Sequence, residues 1–514
     1  MAIKNKKLNL KDKYQYLTRD MAWDPTYQTK EDIYPDERFE GIKITDWSQW
    51  EDPFRLTMDA YWKYQAEKEK KLYAIFDAFA QNNGHQNISD ARYVNALKLF
   101  LSGVSPLEYA AYQGYARVGR QFSGAGARVA CQMQAIDELR HSQTQQHAMS
   151  HYNKHFNGLH DASHQHDRVW FLSVPKSFFD DARTAGPFEF LTAISFSFEY
   201  VLTNLLFVPF MSGAAYNGDM ATVTFGFSAQ SDEARHMTLG LEVIKFILEQ
   251  HEDNVPIIQR WIDKWFWRGF RLLSLVGMMM DYMLPNKVMS WSEAWEVYYE
   301  QNGGALFKDL ERYGIRPPKY QDVANAAKNH VSHQAWGTFY QYSQATNFHT
   351  WMPEEEEMTW LSEKYPETFD KYYRARFEHW DKEQKEGRRF YNNTLPQLCQ
   401  VCQIPVIFTE KDDPSVFSHR QIKHEGERYH FCSDGCCDIF KNEPEKYIQA
   451  WLPVHQIYQG NCGGADVATV VEKYYHINPG VDNMEYHGSP DHQRWLDIKG
   501  LKPLAKENPK KTAA

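Results

Sequence analysis

The sequence predicts a mainly α-helical protein in which a large helical bundle is followed by a small α+β module near the C terminus. Two observations predict the bundle. Residues 137–141 and 232–236 repeat one pentapeptide, Asp-Glu-x-Arg-His, in stretches with helical periodicity, and turn signals divide these stretches into hairpins. A third observation predicts the module, because two close pairs of cysteines are separated by a strand-forming insert.

Composition sets the class of protein. With 514 residues, 43% of them hydrophobic and 15% aromatic, the chain can bury a large core. Its net charge of −10 argues against nucleic acid or an anionic membrane as the main partner. No secretory signal and no apolar run of about twenty residues is visible. The seven cysteines are partly clustered, which favours thiols and a metal over disulfides, so we expect a cytoplasmic protein.

Three regions follow from the changes in sequence character. Residues 1–54 lack a clean helical period and are rich in Lys, Asp, Tyr and Trp, so they are expected to form an extended arm along the bundle or a partner subunit, or to stay partly disordered. Residues 55–390 are predicted to form the helical domain. Residues 391–514 hold the cysteine module, at about 395–452, and a tail.

The repeated pentapeptide carries the chemistry. Its Glu and His stand at i and i+3 and are neighbours on one helical face, so each motif can present a carboxylate and an imidazole to one metal ion. The two pairs are Glu138 with His141 and Glu233 with His236. A single Glu-x-x-His is a weak signal. Duplication with the flanking Asp and Arg kept in place would rarely arise in two unrelated surface helices.

A bundle of this kind requires two further ligands. If each motif helix is one arm of an antiparallel hairpin with arms of about fifteen residues, the partner ligand lies roughly thirty residues upstream. Glu108 precedes Glu138 by 30 residues and Glu199 precedes Glu233 by 34, with a turn signal midway in each interval. The expected elements are helices at about 56–82 and 89–102, hairpins over about 104–152 and 187–250, and a crossover at about 153–185.

These six side chains indicate a ferritin-like di-iron carboxylate bundle. Four carboxylates balance two divalent cations. Oxygen ligands with two imidazoles suit iron or manganese better than zinc or copper(I), and positions remain open for dioxygen. Asp137 and Asp232 are expected to accept hydrogen bonds from the histidines of the opposite motifs, while Arg140 and Arg235 offset their charge. The sequence leaves open which Asp pairs with which His.

The C-terminal cysteines predict a second metal site. Cys399 and Cys402 are followed, thirty residues after Cys402, by Cys432 and then Cys436, a spacing typical of a closed tetrahedral zinc site. Such a zinc ion is structural, since it holds together a module that is too small for its own core. Cys437 remains an alternative to Cys436 as the fourth ligand.

The ligand set and both pentapeptides resemble those of the large oxygenase subunit of soluble bacterial multicomponent monooxygenases, the group of the methane, toluene and phenol hydroxylases. The resemblance covers most of residues 90–250 with specific motifs, and the four-cysteine tail is most similar to the phenol hydroxylase branch. It implies that Thr203 lies over the oxygen-binding face with Asn204 beside it, and that Gln230 is a further polar residue of that region.

The resemblance also implies the reaction: phenol, O2 and two electrons give a catechol and water. Electrons would come from NADH through a separate reductase with FAD and a 2Fe-2S cluster, in line with the lack of a dinucleotide fingerprint here. Other implied partners are further hydroxylase subunits, in a dimer of three-subunit protomers, and a small regulatory protein. Candidates for the substrate cavity, with ordinary core packing as the alternative, are Val104, Ala111, Phe178, Phe198 and Phe207.

Other functions fit parts of this pattern. A toluene or alkene monooxygenase would share the bundle and the chemistry. An acyl desaturase could share the six ligands but does not require the cysteine module. An iron-storage or ferroxidase protein usually needs a bundle of under about two hundred residues, so the length of this chain disfavours that function.

Overall fold

The helices predicted around the repeated motif form the centre of the structure. The computed structural model describes residues 7–156, 159, 166, 171–342, 349–387, 397–406, 419–450, 484–485 and 490–501. The helices that carry or flank the candidate site are numbered here: α1 Met58–Gln81, α2 Ala91–Gln121, α3 Ala125–Tyr152, α4 Ser173–Thr184, α5 Pro187–Tyr216, α6 Met220–Gln250 and α7 Asn254–Met278. Most of their buried apolar side chains pack into one core that reaches the cysteine module, and Phe207, Met211 and Ala229 form a small separate cluster.

Shorter helical segments surround these seven. Before α2 lie Leu10–Gln15, Tyr16–Asp20, Lys30–Ile33, Pro35–Phe39, Trp47–Gln49 and Gly84–Asn87. After α7 lie Met279–Met283, Trp291–Trp295, Glu296–Glu300, Gln301–Leu310, Glu311–Tyr313, Gln321–Ala327, Val331–Gln341, Glu355–Lys364, Phe369–Arg374, Ala375–Lys385 and Pro490–Lys499.

The two predicted hairpins are present as α2–α3 and α5–α6, with their turns at the predicted positions. One boundary was wrong. A separate helix at 89–102 was expected, but α2 continues through Pro106 to Gln121. Proline removes one backbone hydrogen bond, yet the flanking residues Val104 and Leu107 are buried, and their packing keeps the helix continuous. The Asp90 side chain caps its start by accepting from the Arg92 N–H at 2.8 Å.

Helix α5 is not a regular α-helix. Residues Thr192–Tyr200 are π-helical, and an α-helix resumes at Asn204 after a turn at Thr203. Gly240 of α6 allows close packing here, since a Cβ atom would stand 2.2 Å from the Ser195 carbonyl oxygen. Pro187–Tyr216 is long and apolar enough to cross a membrane, but 83% of its apolar window is buried inside the protein, as in the core helix of a globular domain.

The N-terminal arm lies partly along the bundle. The Trp47 ring packs 5.4 Å from Phe246 between ring centroids, and the Lys43 N–H donates to the Asn254 side chain at 2.8 Å. Other aromatic residues of the arm remain exposed, among them Trp23 and Tyr27. The arm therefore divides into a part that contacts the bundle and a part with free aromatic surface.

The C-terminal module is small and mixed in structure. Strands β2 Arg420–His424 and β3 Glu427–Phe431 form an antiparallel hairpin, followed by helices α8 Asp434–Asn442 and α9 Pro444–Gln449. A second two-stranded sheet pairs β1 His349–Thr350 in parallel with β4 Met484–Glu485. The predicted domain boundary near residue 390 and most of the predicted tail lie outside the described residues.

Candidate metal centre

The two hairpins bring the six predicted ligands together in the middle of the bundle. Two groups of buried side chains could each hold an ion, with their candidate ligand atoms within 4.8 Å of one another. One group comprises Glu108, Glu138, His141 and Glu233, and the other Glu138, Glu199 and His236. Glu138 belongs to both groups, so two bound ions would share it. The hairpin geometry inferred from residue spacing therefore matches the structure.

The histidines are held by carboxylates of the opposite motif. His141 Nε2 lies 3.2 Å from Asp232 Oδ2, and His236 Nε2 lies 3.2 Å from Asp137 Oδ2. An ionised carboxylate only accepts, so each Nε2 carries a proton, and Nδ1 is the ring nitrogen left to bind a metal ion. Arg235 bridges both aspartates, at 2.6 Å from Asp137 and 2.9 Å from Asp232. These contacts settle the pairing that the sequence left open.

Helix α1 contributes support that the sequence analysis missed. Gln65 donates to Asp137 and to Asp232, at 2.9 Å each, the Tyr61 hydroxyl donates to Asp137 at 2.7 Å, and Lys68 pairs with Asp232. One signal was available: Tyr61 and Gln65 lie on the same helical stripe as the buried Leu72 and Phe76. A glutamine in an apolar stripe indicates a buried polar partner.

Glu199 has its own set of donors. The Tyr115 hydroxyl lies 3.1 Å from both Glu199 oxygens, and Gln134 Nε2 lies 2.9 and 3.0 Å from them. Burial, together with the charge of Glu233, raises the pKa of Glu199 to about 8. These contacts orient the carboxylate and reduce the cost of burying it. Tyr115 and Gln134 were also missed, since their spacing to Glu199 gives no sequence signal.

The residues present fit a pair of divalent ions. The Nδ1 atoms of His141 and His236 are buried and make no hydrogen bond, although each lies 3.2–3.6 Å from carboxylate oxygens. Burial, with the charges of Glu233 and Glu199, raises the pKa of Glu138 well above its usual range. Two imidazole nitrogens without a hydrogen bond, facing buried carboxylates, fit the donor set of a metal centre, and two divalent cations would balance the charge of the four carboxylates.

A cavity of about 30 Å³ borders this centre. Its walls combine carboxylates of the candidate ligands with apolar side chains and one hydroxyl. The lining residues are Val104, Leu107, Glu108, Ala111, Glu138, Phe179, Ile194, Phe198, Glu199, Thr203, Leu206, Phe207 and Glu233. Another cavity, of about 40 Å³, opens beside Cys432 and has no carboxylate in its walls. The smaller cavity is the candidate for substrate because it alone of these two adjoins the ligand carboxylates.

Most of the predicted cavity residues lie in its walls, but Phe178 does not. Its ring packs behind the wall, 5.3 Å from Phe198 and 5.3 Å from Trp265, while Phe179 faces the cavity. Adjacent residues of an α-helix point about 100° apart, so only one of them faces any given side. Thr203 borders the cavity at the break in α5. Asn204 and Gln230 are half-buried and outside its walls.

The four predicted zinc ligands also converge. Cys399, Cys402, Cys432 and Cys436 are buried, with sulfur atoms within 4.8 Å of one another. Cys402 and Cys432 lie 3.5 Å apart, and Cys432 and Cys436 lie 3.7 Å apart. Cys437 is buried but outside the group, so Cys436 takes the fourth place. Four such thiols are the donor set of a closed tetrahedral metal site.

Comparison with known proteins agrees with this geometry. Residues 23–251 match the family described as Methane/Phenol/Alkene Hydroxylase, and residues 411–451 match the YHS domain. The chain is 81% identical to phenol 2-monooxygenase, oxygenase component DmpN, of Pseudomonas sp. (strain CF600), covering 98% of each chain. It is 27% identical to the alkene monooxygenase oxygenase component subunit alpha of Xanthobacter autotrophicus (strain ATCC BAA-1158 / Py2), covering 86% of this chain and 88% of that one.

A solved structure gives the same result. The xenon-pressurised phenol hydroxylase from Pseudomonas sp. OX1 matches with a TM-score of 0.92 and 88% identity, over 96% of this chain and 100% of that one. The fold and site thus define the catalytic oxygenase component of a monooxygenase with a di-iron-type site. The chain belongs to the methane/phenol/alkene hydroxylase family. The predicted class of enzyme is confirmed.

Proposed function

We propose that this oxygenase component hydroxylates phenol to catechol, with O2 as co-substrate and electrons that originate from NADH. The balanced reaction is phenol, O2, NADH and a proton giving catechol, NAD⁺ and water. The observation that carries the proposal is the pair of histidine Nδ1 atoms without hydrogen bonds among buried carboxylates, beside a cavity lined mainly by apolar side chains. The relatives named as phenol hydroxylases support the choice of substrate.

The residues proposed to hold two irons are the six predicted ones. Glu108, Glu138, His141 and Glu233 would surround one ion, and Glu199 and His236 would bind the other, with Glu138 shared. Bound iron would supply the electrons and the open coordination positions needed to activate dioxygen. The hydrogen bonds from His141 to Asp232 and from His236 to Asp137 fix the ring orientation and keep each Nδ1 available for the metal.

The cavity determines which substrate reaches the centre. Val104, Ala111, Phe198 and Phe207 give an apolar surface that favours an uncharged aromatic ring and excludes water. Thr203 provides the one hydroxyl in the cavity wall, and we assign it the role of holding and passing a proton during hydroxylation. The half-buried Asn204 and Gln230 are proposed to act near the site from outside the cavity.

The cysteine group is proposed to hold one structural zinc ion. Its four buried thiols leave no position for substrate, which fits a stabilising role. The zinc and iron sites use separate residues.

The full reaction would need other proteins. An NADH-dependent reductase with FAD and a 2Fe-2S cluster, further hydroxylase subunits in a dimer of three-subunit protomers, and a small regulatory protein complete the proposed assembly. The names of the relatives support the multicomponent arrangement, since they describe oxygenase components of monooxygenase systems. Dependence on NADH favours the cytoplasm.

The test is catechol formation from phenol. The purified oxygenase, supplied with the reductase and NADH, should form catechol slowly, and the remaining soluble proteins of the cell should raise both the rate and the catechol formed per NADH consumed. Toluene and an alkene serve as competing substrates. No catechol from the complete system, with turnover of toluene or the alkene, would refute phenol as the substrate.

A further inference from the structure

The C-terminal module touches the helix that carries one wall of the cavity. We propose that Tyr447 and Lys446 of α9 are positioning residues for the substrate cavity, and that they act through Asp181 of α4 on the Phe179 wall. This inference rests on the proposed function. It gives the cysteine module a role in substrate selectivity in addition to its own stability.

The cysteine module packs against α7. Trp267 Nε1 donates to Ser433 Oγ at 3.2 Å, and Lys264 pairs with Glu443 at 2.6 Å. Gly435 allows this close approach, because a Cβ atom there would stand 2.5 Å from Trp267 Nε1. All these contacts are buried or half-buried. The module is therefore fixed against the bundle, and a change in its position would be transmitted to its neighbours.

Asp181 of α4 lies at the centre of a cluster of charged groups. This buried carboxylate accepts from the Tyr447 hydroxyl at 2.7 Å and pairs with Lys446, both from α9, and it also pairs with Arg268 of α7. A buried carboxylate held by two cations and a hydroxyl has a narrowly defined position. Burial opposes ionisation, but Lys264, Arg268 and Lys446 outweigh it and hold the pKa of Asp181 well below its usual range.

Asp181 is connected to the cavity through Phe179, on the same helix. Asp181 lies two residues after Phe179 on the same helix, and Phe179 borders the cavity with its ring 5.6 Å from that of Phe198. Arg268 supports the same helix, since its guanidinium donates to Ser177 Oγ at 3.0 Å and lies 5.9 Å from the Phe178 ring. A shift of Asp181 would thus move the aromatic wall as a unit.

The consequence is a selectivity effect without any loss of metal. Tyr447→Phe removes one hydroxyl and keeps the ring that packs near Arg268 and Lys264. We expect unchanged iron and zinc contents. The ratio of kcat/KM for phenol to kcat/KM for 3,4-dimethylphenol should change about threefold or more, because the wall that contacts the ring substituents is less firmly placed. The amount of catechol formed per NADH consumed should also fall in Tyr447→Phe.

The control is Tyr429→Phe. Tyr429 lies in the same module and packs on Phe440 at 5.2 Å, away from Asp181. The parent, both variants, Phe179→Leu and the Tyr447→Phe/Phe179→Leu double variant are assayed in the complete multicomponent system. If Tyr447 acts through Phe179, the selectivity changes of the two single variants will not add in the double variant. Equal selectivity and coupling in Tyr447→Phe and the parent, or strict additivity, would overturn the proposal.

Two further measurements keep the result decisive. If Tyr447→Phe does not fold, Lys446→Gln replaces it under the same criteria, since the Lys446 side chain is partly exposed. If the parent itself turns over no phenol, the proposed function fails, and the positioning role is judged by calorimetric binding of the same two phenols to parent and Tyr447→Phe. Unchanged relative affinities would then refute it.

Discussion

His141 and Asp232, which belong to different hairpins, are joined by a 3.2 Å hydrogen bond from Nε2 to Oδ2. Its counterpart joins His236 to Asp137 at the same distance. Each pentapeptide therefore supplies candidate ligands of its own and the hydrogen-bond acceptor that orients the histidine of the other. This crossing explains why Asp and His recur together in both copies, and it makes the two hairpins interdependent.

Asp232→Asn tests this crossing. The substitution keeps the size of the side chain but replaces a charged acceptor with a neutral one. The hydrogen bond that fixes the ring orientation and tautomer of His141 is therefore weaker. We expect iron affinity to fall by roughly 10- to 100-fold. Iron remaining after dialysis against a graded chelator series measures the change. The control is Glu242→Gln, on the same helix, where Glu242 pairs with the nearby Lys245; it should retain the iron affinity of the parent. If Asp232→Asn binds iron as tightly as the parent, the hydrogen bond between His141 and Asp232 is not needed for iron binding.

Thr203→Val tests the proposed proton-handling role. Valine keeps the shape and lacks the hydroxyl, so the irons should remain while catechol formed per NADH consumed falls. Thr238→Val is the matched control, since Thr238 is a half-buried residue outside the cavity walls whose hydroxyl donates within its own helix at 2.9 Å. Coupling identical to the parent in Thr203→Val would rule out this role for the hydroxyl.

Cys402→Ser tests the second metal site. Loss of one thiol should release zinc and destabilise the module by on the order of several kcal/mol, because metal binding and folding are linked in such small modules. Any folded protein should still bind iron. Cys437→Ser provides the control, since that buried cysteine stands next to Cys436 and outside the cluster. Full zinc occupancy in Cys402→Ser would disprove the ligand assignment.

Asp281 predicts a pH dependence of stability. This buried carboxyl accepts from the Tyr365 hydroxyl at 2.6 Å and from the Trp291 N–H at 3.0 Å, and burial raises its pKa to about 6 from 3.8. The folded state then binds its proton more tightly than the unfolded state. Its contribution to the free energy of unfolding is fully present below about pH 4 and is lost as pH rises to about 6, by about 3 kcal/mol.

The measurement for Asp281 is urea unfolding of the parent and Asp281→Asn across pH 4–7. Asparagine does not titrate, so the difference in the free energy of unfolding between the two proteins should change between about pH 4 and pH 6 and level off near pH 7. A difference that is independent of pH would show that the pKa of Asp281 is close to that of an exposed carboxyl.

Spacing along the chain was sufficient to predict the bundle, both hairpins and the convergence of the six candidate ligands, because helix geometry converts residue number into height along a bundle. It could not locate the π-helical segment Thr192–Tyr200, whose extra residue per turn leaves no mark in hydrophobic periodicity. The same limit explains Phe178: spacing placed this helix beside the site, but its rotation, which turns Phe179 to the cavity, depends on packing against α7.

The side chains from other helices that hold the candidate ligands in place could not be predicted from the sequence either. Gln65 and Lys68 approach the aspartates only after α1 has packed across both hairpins, and no fixed spacing connects them to either motif. Asp181 and Tyr447 are 266 positions apart, and their contact exists only because the module docks on α7. Local patterns predict ligands on one helix, whereas tertiary contacts choose the residues that hold those ligands in place.

Iron content is the most direct test of the central claim that the repeated motif holds a di-iron centre. The parent should contain about two irons per chain. Glu233→Ala and His236→Ala should keep the helical fold, measured by circular dichroism, and lose most of this iron. The controls Glu242→Ala and His147→Ala should match the parent, since both residues lie on motif helices outside the metal groups. About two irons per chain in both Glu233→Ala and His236→Ala would contradict the account.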